Sequence, residues 1–221
     1  MDSPVTTQMS TLPDIVVKQN FYDLDFVAAL WEQCKQSGDP TPFVDEHGVF
    51  KGKHIADQLF FDPQDLPSII EQAVEQAQAI FPVKTTVVEA VYQALHLPWD
   101  IHCDVECDRG SKPYYNLLIP FHDVPSRTIV FNQRADEHDA FWKYKQMHPH
   151  LDKPIHQDIW NQYLSMCWPE DRLWLSIKEI LPNQSAGQLV AFNRYFFHSS
   201  DSFNLWYDQP KYFLQVLLDR A

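Results

Sequence analysis

The chain has 221 residues, of which 45% are hydrophobic and 14% aromatic, enough apolar side chains for one domain with a sizeable core. Seventeen Lys and Arg residues stand against thirty Asp and Glu residues, which gives a formal net charge of −13 at pH 7. This charge disfavours nucleic acids and anionic membranes as partners, because binding to both depends on clustered basic side chains.

The cysteines and the apolar runs bear on the cellular compartment. Four cysteines are too few and too widely spaced for a disulfide framework, and the sequence contains no CxxC pair. No apolar run approaches the roughly 20 residues of a membrane span, and the first residues lack the pattern of a secretion signal. We therefore expect a protein of a reducing compartment, with a cytoplasmic location and no membrane association. These features do not indicate an oligomeric state.

The N-terminal part, residues 12–83, is predicted to be a support region with one strand, at the apolar run from Asp14 to Lys18, and two helices. Residues 1–11 are polar and aperiodic, so we expect them to be flexible. Between Asp25 and Gln36 the apolar residues recur at the 3.6-residue spacing of an amphipathic helix. A second helix is predicted from Pro63 to Phe81, which is rich in Ala, Glu and Gln and is followed by Pro82. We expect a loop between the two helices.

From Lys84 onward the sequence becomes rich in Val, Ile and Tyr. Five segments favour β-strands: TTVVEAVYQAL, YYNLLIPF, RTIVF, GQLVAF and YFLQVLL. Residues 134–183 interrupt this series, carry four tryptophans and show mixed helical patterning, so we predict a helical insertion there. The sequence thus predicts a single domain, residues 1–221, that is mainly β with flanking helices and has its β core within residues 84–221.

His102 and Asp104 are candidate metal ligands in the segment WDIHCDVECD. Side chains two residues apart in a strand point to the same face, roughly 6–7 Å apart along the chain, so their nitrogen and oxygen can meet at one metal. A later segment, GQLVAFNRYFFHSS, supplies His198 as a third ligand. Two histidines and one carboxylate are the ligand set of non-haem iron(II) oxygenases. An HxD pair without function, at the end of a strand, is the alternative interpretation.

The HxD pair, the β-rich run and the segment with His198 together resemble the iron(II)/2-oxoglutarate-dependent dioxygenases, in particular the small prolyl-hydroxylase-like and phytanoyl-hydroxylase-like members. The resemblance covers about residues 84–221. It implies a double-stranded β-helix, a cupin-like jelly roll, with N-terminal helices against one sheet and the insertion as a lid. It also implies iron(II) held by His102, Asp104 and His198, 2-oxoglutarate as cosubstrate, and hydroxylation. Halogenating relatives lack the carboxylate that Asp104 provides.

The resemblance further implies a basic residue early in the last strand that pairs with the far carboxylate of 2-oxoglutarate. Lys211 has this place in the segment PKYFLQVLLDRA, where the family more often has Arg. Arg offers two parallel hydrogen bonds to a carboxylate, whereas Lys offers a point charge. Arg127 and Arg220 are the alternatives for this role. Tyr114 and Asn116, which we expect on one strand face, are predicted to donate to the same carboxylate.

The substrate is predicted to be a small molecule or a protein side chain. An insertion of this kind commonly overhangs the metal, so Trp142, Tyr144 and Trp160 are candidates for substrate contact, although tryptophans more often belong to the core. The histidines of the insertion are a weaker candidate for a zinc site, because no Cys pair accompanies them. Two other functions stay open: a cupin-like metalloenzyme that does not use 2-oxoglutarate, and a catalytically silent barrel used for binding.

Overall fold

The computed structural model describes residues 13–46, 50–105, 112–135, 157–165 and 175–221. The strands and helices of these residues are β1 Ile15–Lys18, α1 Leu24–Gln36, β2 Thr41–Asp45, β3 Lys53–Phe61, α2 Ser68–Gln78, β4 Thr85–Leu95, β5 Pro113–Pro120, β6 Thr128–Arg134, α3 Gln157–Tyr163, β7 Ile177–Ile180, β8 Leu189–Asn193, β9 Phe196–Ser200 and β10 Lys211–Arg220.

The strands form two sheets. The larger sheet has seven strands in the order β1-β8-β5-β10-β4-β3-β2, and the smaller has three in the order β7-β6-β9. Neighbouring strands are antiparallel. After β5 the chain passes to the smaller sheet, returns with β8, leaves again with β9 and returns with β10, which lies between β5 and β4 in the middle of the larger sheet. This alternation is the topology of the double-stranded β-helix, so the predicted fold is confirmed.

Helices α1 and α2 cover the outer face of the larger sheet. The buried side chains Leu30 and Ile70 belong to the same apolar cluster as the sheet residues Leu117 and Leu214. The first helix lies within one residue of its predicted start, where the carboxylate of Asp23 caps it by accepting from the N–H of Asp25.

The second helix is shorter than predicted because its expected first turn is a different structure. The side-chain carboxylate of Asp62 accepts from the N–H of Gln64 at 2.9 Å. The main-chain carbonyl of Asp62 accepts from the N–H of Asp65 at 3.0 Å. This Asx-type turn covers Asp62 to Asp65, and the helix begins only after Pro67.

Four strands were not predicted. The segment expected as a loop between the helices holds β2 and β3, which pair as an antiparallel hairpin at the edge of the larger sheet. Pro42 is compatible with β2, because an edge strand leaves one row of N–H groups without a ladder partner. Strands β7 and β9 belong to the smaller sheet, and β7 lies within the predicted insertion.

Of the predicted insertion, residues 134–183, the structure describes the start, helix α3 and the end with β7. Positions 136–156 and 166–174 lie outside the described residues. No helix in the described part of the chain is long and apolar enough to cross a membrane.

Candidate metal centre

His102, Asp104 and His198 converge between the two sheets. Each offers one ligand atom, and these atoms lie within 4.8 Å of one another. Nε2 of His102 lies 3.6 Å from Oδ1 of Asp104, and Nε2 of His198 lies 3.3 Å from Oδ2 of the same carboxylate. His198 is on β9, while the other two residues are on the connection that leaves β4 for β5. The structure therefore brings together the three predicted ligands.

The other nitrogen of each imidazole fixes the direction of the ring. Nδ1 of His102 lies 2.6 Å from the carbonyl oxygen of Asp100, and Nδ1 of His198 lies 3.1 Å from that of Phe196. A carbonyl oxygen only accepts, so both Nδ1 atoms carry hydrogen when the rings are neutral. The lone pairs of both Nε2 atoms are then directed at the space beside Asp104. Such a backbone hydrogen bond on the far nitrogen is typical of metal-binding histidines.

Two polar side chains hold Asp104 in place. Asn116 on β5 donates its amide N–H to Oδ2 of Asp104. Arg194 donates from Nε to the main-chain oxygen of Asp104 at 2.8 Å, and its guanidinium also pairs with Asp219 on β10. Arg194 was not predicted, because nothing in its local sequence distinguishes it from a surface arginine, yet its side chain is buried.

Burial also sets the protonation state of His198. It lowers the pKa of His198 to about 4, and the nearby charge of Asp104, which raises the pKa, only partly opposes this effect. The imidazole of His198 is therefore neutral at pH 7. A metal needs this neutral form, because protonated nitrogen has no lone pair to offer.

A cavity of about 210 Å³ opens beside the three ligands. Its wall is partly apolar, with Leu95, Leu118 and Phe213, and partly polar, with amide, hydroxyl and charged groups. The polar lining residues are Gln58, Glu89, Gln93, Thr128, Gln184, Ser199, Ser200, Lys211 and Gln215.

Lys211 lines this cavity and is 1% exposed. Its ammonium donates to the hydroxyls of Ser126 at 3.1 Å and Ser200 at 2.9 Å, and it lies over the ring of Phe203. Burial lowers the pKa of Lys211 to about 8, although the charge of Asp201 raises it. The structure thus places Lys211 in the same cavity as the metal ligands. The two serines and Asp201 were not predicted, since their role appears only once β6, β9 and β10 are assembled.

Tyr114 and Asn116, which were predicted to donate to the cosubstrate, are not among the residues that line the cavity. Asn116 donates to Asp104 instead. Tyr114 packs against Phe81 and Arg220 on the helix-covered side of the sheet. The reason is a bulge: β10 pairs Leu218 with Tyr115 and Asp219 with Pro113, so Tyr114 has no partner in the register and turns to the other face.

The side chain of Arg127 is directed away from the cavity. It donates to Oδ1 of Asn183 at 3.1 Å and to the hydroxyl of Tyr163 at 2.9 Å, in a separate surface cleft. Arg220 stacks on Tyr114 and is likewise outside the cavity. Lys211 is therefore, among the three predicted basic residues, the one that the structure places beside the ligands.

Trp160 is a core residue rather than part of the cavity wall. It is 4% exposed and packs in a cluster with Phe131 and Leu164, between α3 and the smaller sheet. Trp142 and Tyr144, the other two predicted substrate contacts, lie outside the described residues.

Known structures share this fold. The epimerase SnoN, in complex with Fe3+, alpha ketoglutarate and nogalamycin RO, matches with a TM-score of 0.59 and 13% identity, over 94% of this chain and 79% of its own. A prolyl-4-hydroxylase from Pseudomonas putida matches with a TM-score of 0.52 and 14% identity, over 94% and 93%. HygX from Streptomyces hygroscopicus, with nickel and 2-oxoglutarate, matches with a TM-score of 0.57 and 9% identity, over 94% and 83%.

Sequence comparison gives no corresponding match: no family model matches the chain, and no curated protein does. At the low identities of the structural matches, the likeness shows the fold. That fold is the double-stranded β-helix predicted from the sequence.

Proposed function

We propose that this protein is an iron(II)- and 2-oxoglutarate-dependent oxygenase that hydroxylates a small molecule or a protein side chain. The observation that carries the proposal is one cavity that contains both the cluster of His102, Asp104 and His198 and the buried ammonium of Lys211. The first feature suits a divalent metal and the second an anionic cosubstrate. Their combination supports this function better than it supports a cupin-like metalloenzyme without 2-oxoglutarate or a catalytically silent barrel.

The ligand set fits iron(II). Two neutral imidazoles and one carboxylate on one side of a metal leave other positions open for small ligands. Asn116 and the two backbone carbonyls that accept from Nδ1 hold the three ligand side chains in fixed directions. When bound, iron and 2-oxoglutarate would together supply the oxidising chemistry, for which no side chain is suited.

The environment of Lys211 fits a carboxylate. A buried ammonium is costly unless an anion compensates its charge. Here its two hydrogen-bond acceptors are neutral hydroxyls, and the carboxylate of Asp201 acts on it only from behind Ser126. Ser200 and Thr128 line the same part of the cavity and can donate to a carboxylate oxygen. We infer that Lys211 binds the carboxylate of 2-oxoglutarate that is remote from the metal. Binding there would orient the cosubstrate and keep water from this end of the cavity.

The class of substrate and the cellular location are inferred from the similar structures, the net charge and Cys34. The similar structures include one with nogalamycin RO and one of a prolyl-4-hydroxylase, which supports either a small molecule or a protein side chain as the substrate. The net charge of −13 supports the exclusion of polyanions. The buried thiol of Cys34 is consistent with a reducing compartment such as the cytoplasm.

The test is anaerobic titration of the protein with iron(II) and 2-oxoglutarate, followed by absorbance in the charge-transfer region of the iron(II)–2-oxoglutarate complex. We expect a band with the native chain, no band with the double variant His102→Ala/Asp104→Ala, and for Lys211→Gln a band only when the 2-oxoglutarate concentration is about 100-fold higher or more. Succinate formation in the presence of oxygen should follow the same order.

The alternatives give different results. A cupin-like metalloenzyme would bind iron but show no band, and Lys211→Gln would not alter its activity. A silent barrel would bind no iron. Either result with the native chain contradicts the proposal.

A further inference from the structure

A second cluster of metal-ligating side chains consists of His54, Asp57 and His96. Nε2 of His54 lies 2.8 Å from Oδ1 of Asp57, and Nε2 of His96 lies 2.8 Å from Oδ2 of the same carboxylate. The two imidazole centroids are 4.5 Å apart, and the three ligand atoms lie within 4.8 Å of one another. Thus two nitrogens of the same type approach a single carboxylate from its two sides.

This cluster is on the face of the larger sheet opposite to the cavity. Gln93 and Leu95 on β4 line the cavity, so Ala94 between them points to the other face. Asp57 pairs with Ala94 in the register of β3 and β4 and therefore shares its face. The cluster is consequently separate from the proposed iron centre.

A β-bulge brings His54 to the same face as Asp57. In the pairing of β2 with β3, Phe43 is opposite Ala56 and Val44 is opposite His54, so Ile55 has no partner. Without this extra residue, strict alternation would send His54 to the cavity side. The carbonyl of Ile55 accepts from the N–H groups of both His96 and Leu97, which fixes the end of β4 beside the bulge. The three side chains thus come from backbone that the sheet orders.

The donor set suits a transition metal ion better than calcium or magnesium, since two of the three ligand atoms are imidazole nitrogens. Zinc binds such nitrogens and carboxylate oxygens at about 2.0–2.2 Å in tetrahedral geometry, so neighbouring ligand atoms would be roughly 3.3 Å apart. The distances from Nε2 of His54 and of His96 to the carboxylate of Asp57, 2.8 Å each, are shorter than this, so zinc binding requires small side-chain rotations. The side chains are 44%, 27% and 33% exposed in chain order, which leaves room for water as a fourth ligand.

We propose that His54, Asp57 and His96 form a second metal site that binds zinc(II), with water completing the coordination. The metal would join the edge hairpin of β2 and β3 to the end of β4. The chain continues from His96 directly to His102 and Asp104, so zinc would also brace the segment that carries two ligands of the proposed iron centre. A local hydrogen-bonded network without metal is the competing explanation, and it also accounts for Nε2 of His54 lying 3.1 Å from the carbonyl of Ala56.

The experiment measures zinc stoichiometry by titration against a chromophoric chelator, with the purified full chain and its variants. The native chain should bind two zinc ions, because the three ligands of the cavity also accept zinc. Asp57→Asn and His96→Gln should each bind one, as should the double variant His102→Ala/Asp104→Ala. The triple variant with Asp57→Asn should bind none.

The control is His122→Gln, which removes another imidazole on the helix-covered face, where it stacks on Trp31. It should keep two zinc ions. Far-ultraviolet circular dichroism checks that each variant is folded. A second readout is the melting temperature of His102→Ala/Asp104→Ala, which zinc should raise, and which zinc should not change once Asp57→Asn is added.

The proposal is overturned if Asp57→Asn and His96→Gln both keep the stoichiometry of the native chain, or if His122→Gln loses a zinc ion as they do. Absence of zinc binding by a folded His102→Ala/Asp104→Ala variant also overturns it. If that variant is unfolded, the comparison of the native chain with Asp57→Asn and His96→Gln decides. None of these outcomes depends on turnover.

Discussion

His102 and His198 are main-chain partners as well as neighbouring side chains. The N–H of His102 donates to the carbonyl of His198 at 3.1 Å, and the N–H of His198 donates to the carbonyl of His102 at 2.8 Å. Their imidazole centroids are 4.4 Å apart. This reciprocal pair fixes both Cα positions without help from the side chains. The backbone therefore sets the distance between the two histidines, while the position of Asp104 depends on side-chain contacts.

Asn116→Ala tests this dependence. The amide of Asn116 holds one oxygen of Asp104, so its removal should let the carboxylate rotate while both histidines stay in place. We expect about a 10- to 100-fold loss of iron(II) affinity, the usual effect of removing a residue that orients a metal ligand. Anaerobic calorimetry measures it. Asn132→Ala, which removes an amide bound to Ser176 on the smaller sheet, is the control and should leave the affinity unchanged. Equal affinities for the two variants would contradict the role given to Asn116.

The affinity for 2-oxoglutarate should decrease as the pH rises through about 8. Burial lowers the pKa of Lys211 to about 8, so the ammonium is present below this pH and lost above it. Each further pH unit reduces the protonated fraction about tenfold, and the dissociation constant should rise accordingly. Calorimetric titrations between pH 6.5 and 9.5 measure this profile. Lys211→Gln should bind weakly with no inflection near pH 8. A flat profile of the native chain would show that Lys211 keeps its proton across this range, and equal affinities of the native chain and Lys211→Gln at pH 7 would exclude Lys211 as the carboxylate ligand.

Asp201→Asn should move this inflection to lower pH. Asp201 is buried, accepts from the hydroxyl of Ser126 at 2.7 Å, and its charge raises the pKa of Lys211. Without that charge the ammonium loses its proton earlier. The KM for 2-oxoglutarate should then increase at pH 7.5 but return close to the native value at pH 6. Asp123→Asn, which removes an exposed carboxylate bound to the N–H of Ala186, should leave the profile in place. An increase in the KM of Asp201→Asn that is the same at both pH values would instead indicate a structural role for Asp201.

Local patterns were sufficient for some parts of the molecule and not for others. The spacing of apolar residues predicted α1, because an amphipathic helix is encoded within one segment. The HxD pair and His198 were found because two ligands are adjacent in sequence and the third follows a strand with a recognisable pattern. Strand β2 was missed because an edge strand that contains Pro looks like a loop in a sequence. Strand β3, which pairs with both β2 and β4, was missed because its residues, KHIADQLFF, do not alternate strictly between apolar and polar.

Features that depend on register were not accessible from the sequence. Tyr114 and His54 both lie beside bulges, and a bulge reverses the face of a side chain without any signal in the local pattern. His96 meets Asp57 across 39 residues through the pairing of β3 with β4. The sequence therefore pointed to the closely spaced histidines of the insertion as a candidate zinc site, whereas His54, Asp57 and His96 form their cluster on the larger sheet.

Arg127→Ala and Arg220→Ala should each change the KM for 2-oxoglutarate less than twofold. Arg127 is held by Asn183 and Tyr163 in another cleft, and Arg220 lies over the ring of Tyr114 on the opposite side of the sheet. Neither guanidinium lines the cavity, so neither charge compensates a carboxylate bound there. Succinate assays over a range of 2-oxoglutarate concentrations give the comparison, with Lys211→Gln as the variant expected to fail. An increase of tenfold or more in either arginine variant would transfer the role from Lys211.

Gly187→Ala should destabilise the protein more than Gly52→Ala, although both glycines have positive φ angles of 76° and 70°. A β-carbon at Gly187 would lie 2.7 Å from the carbonyl oxygen of Tyr22, whereas one at Gly52 would meet no atom within 4 Å. The backbone around Gly187 has little freedom to move, because its carbonyl accepts from the N–H groups of both Phe21 and Tyr22. The left-handed conformation alone costs about 1–2 kcal/mol for alanine, which is the effect expected at position 52. The additional clash at position 187 should bring the loss to roughly 2–4 kcal/mol. Urea unfolding of both variants measures the difference, and equal losses would show that the connection before β8 yields to accommodate a side chain.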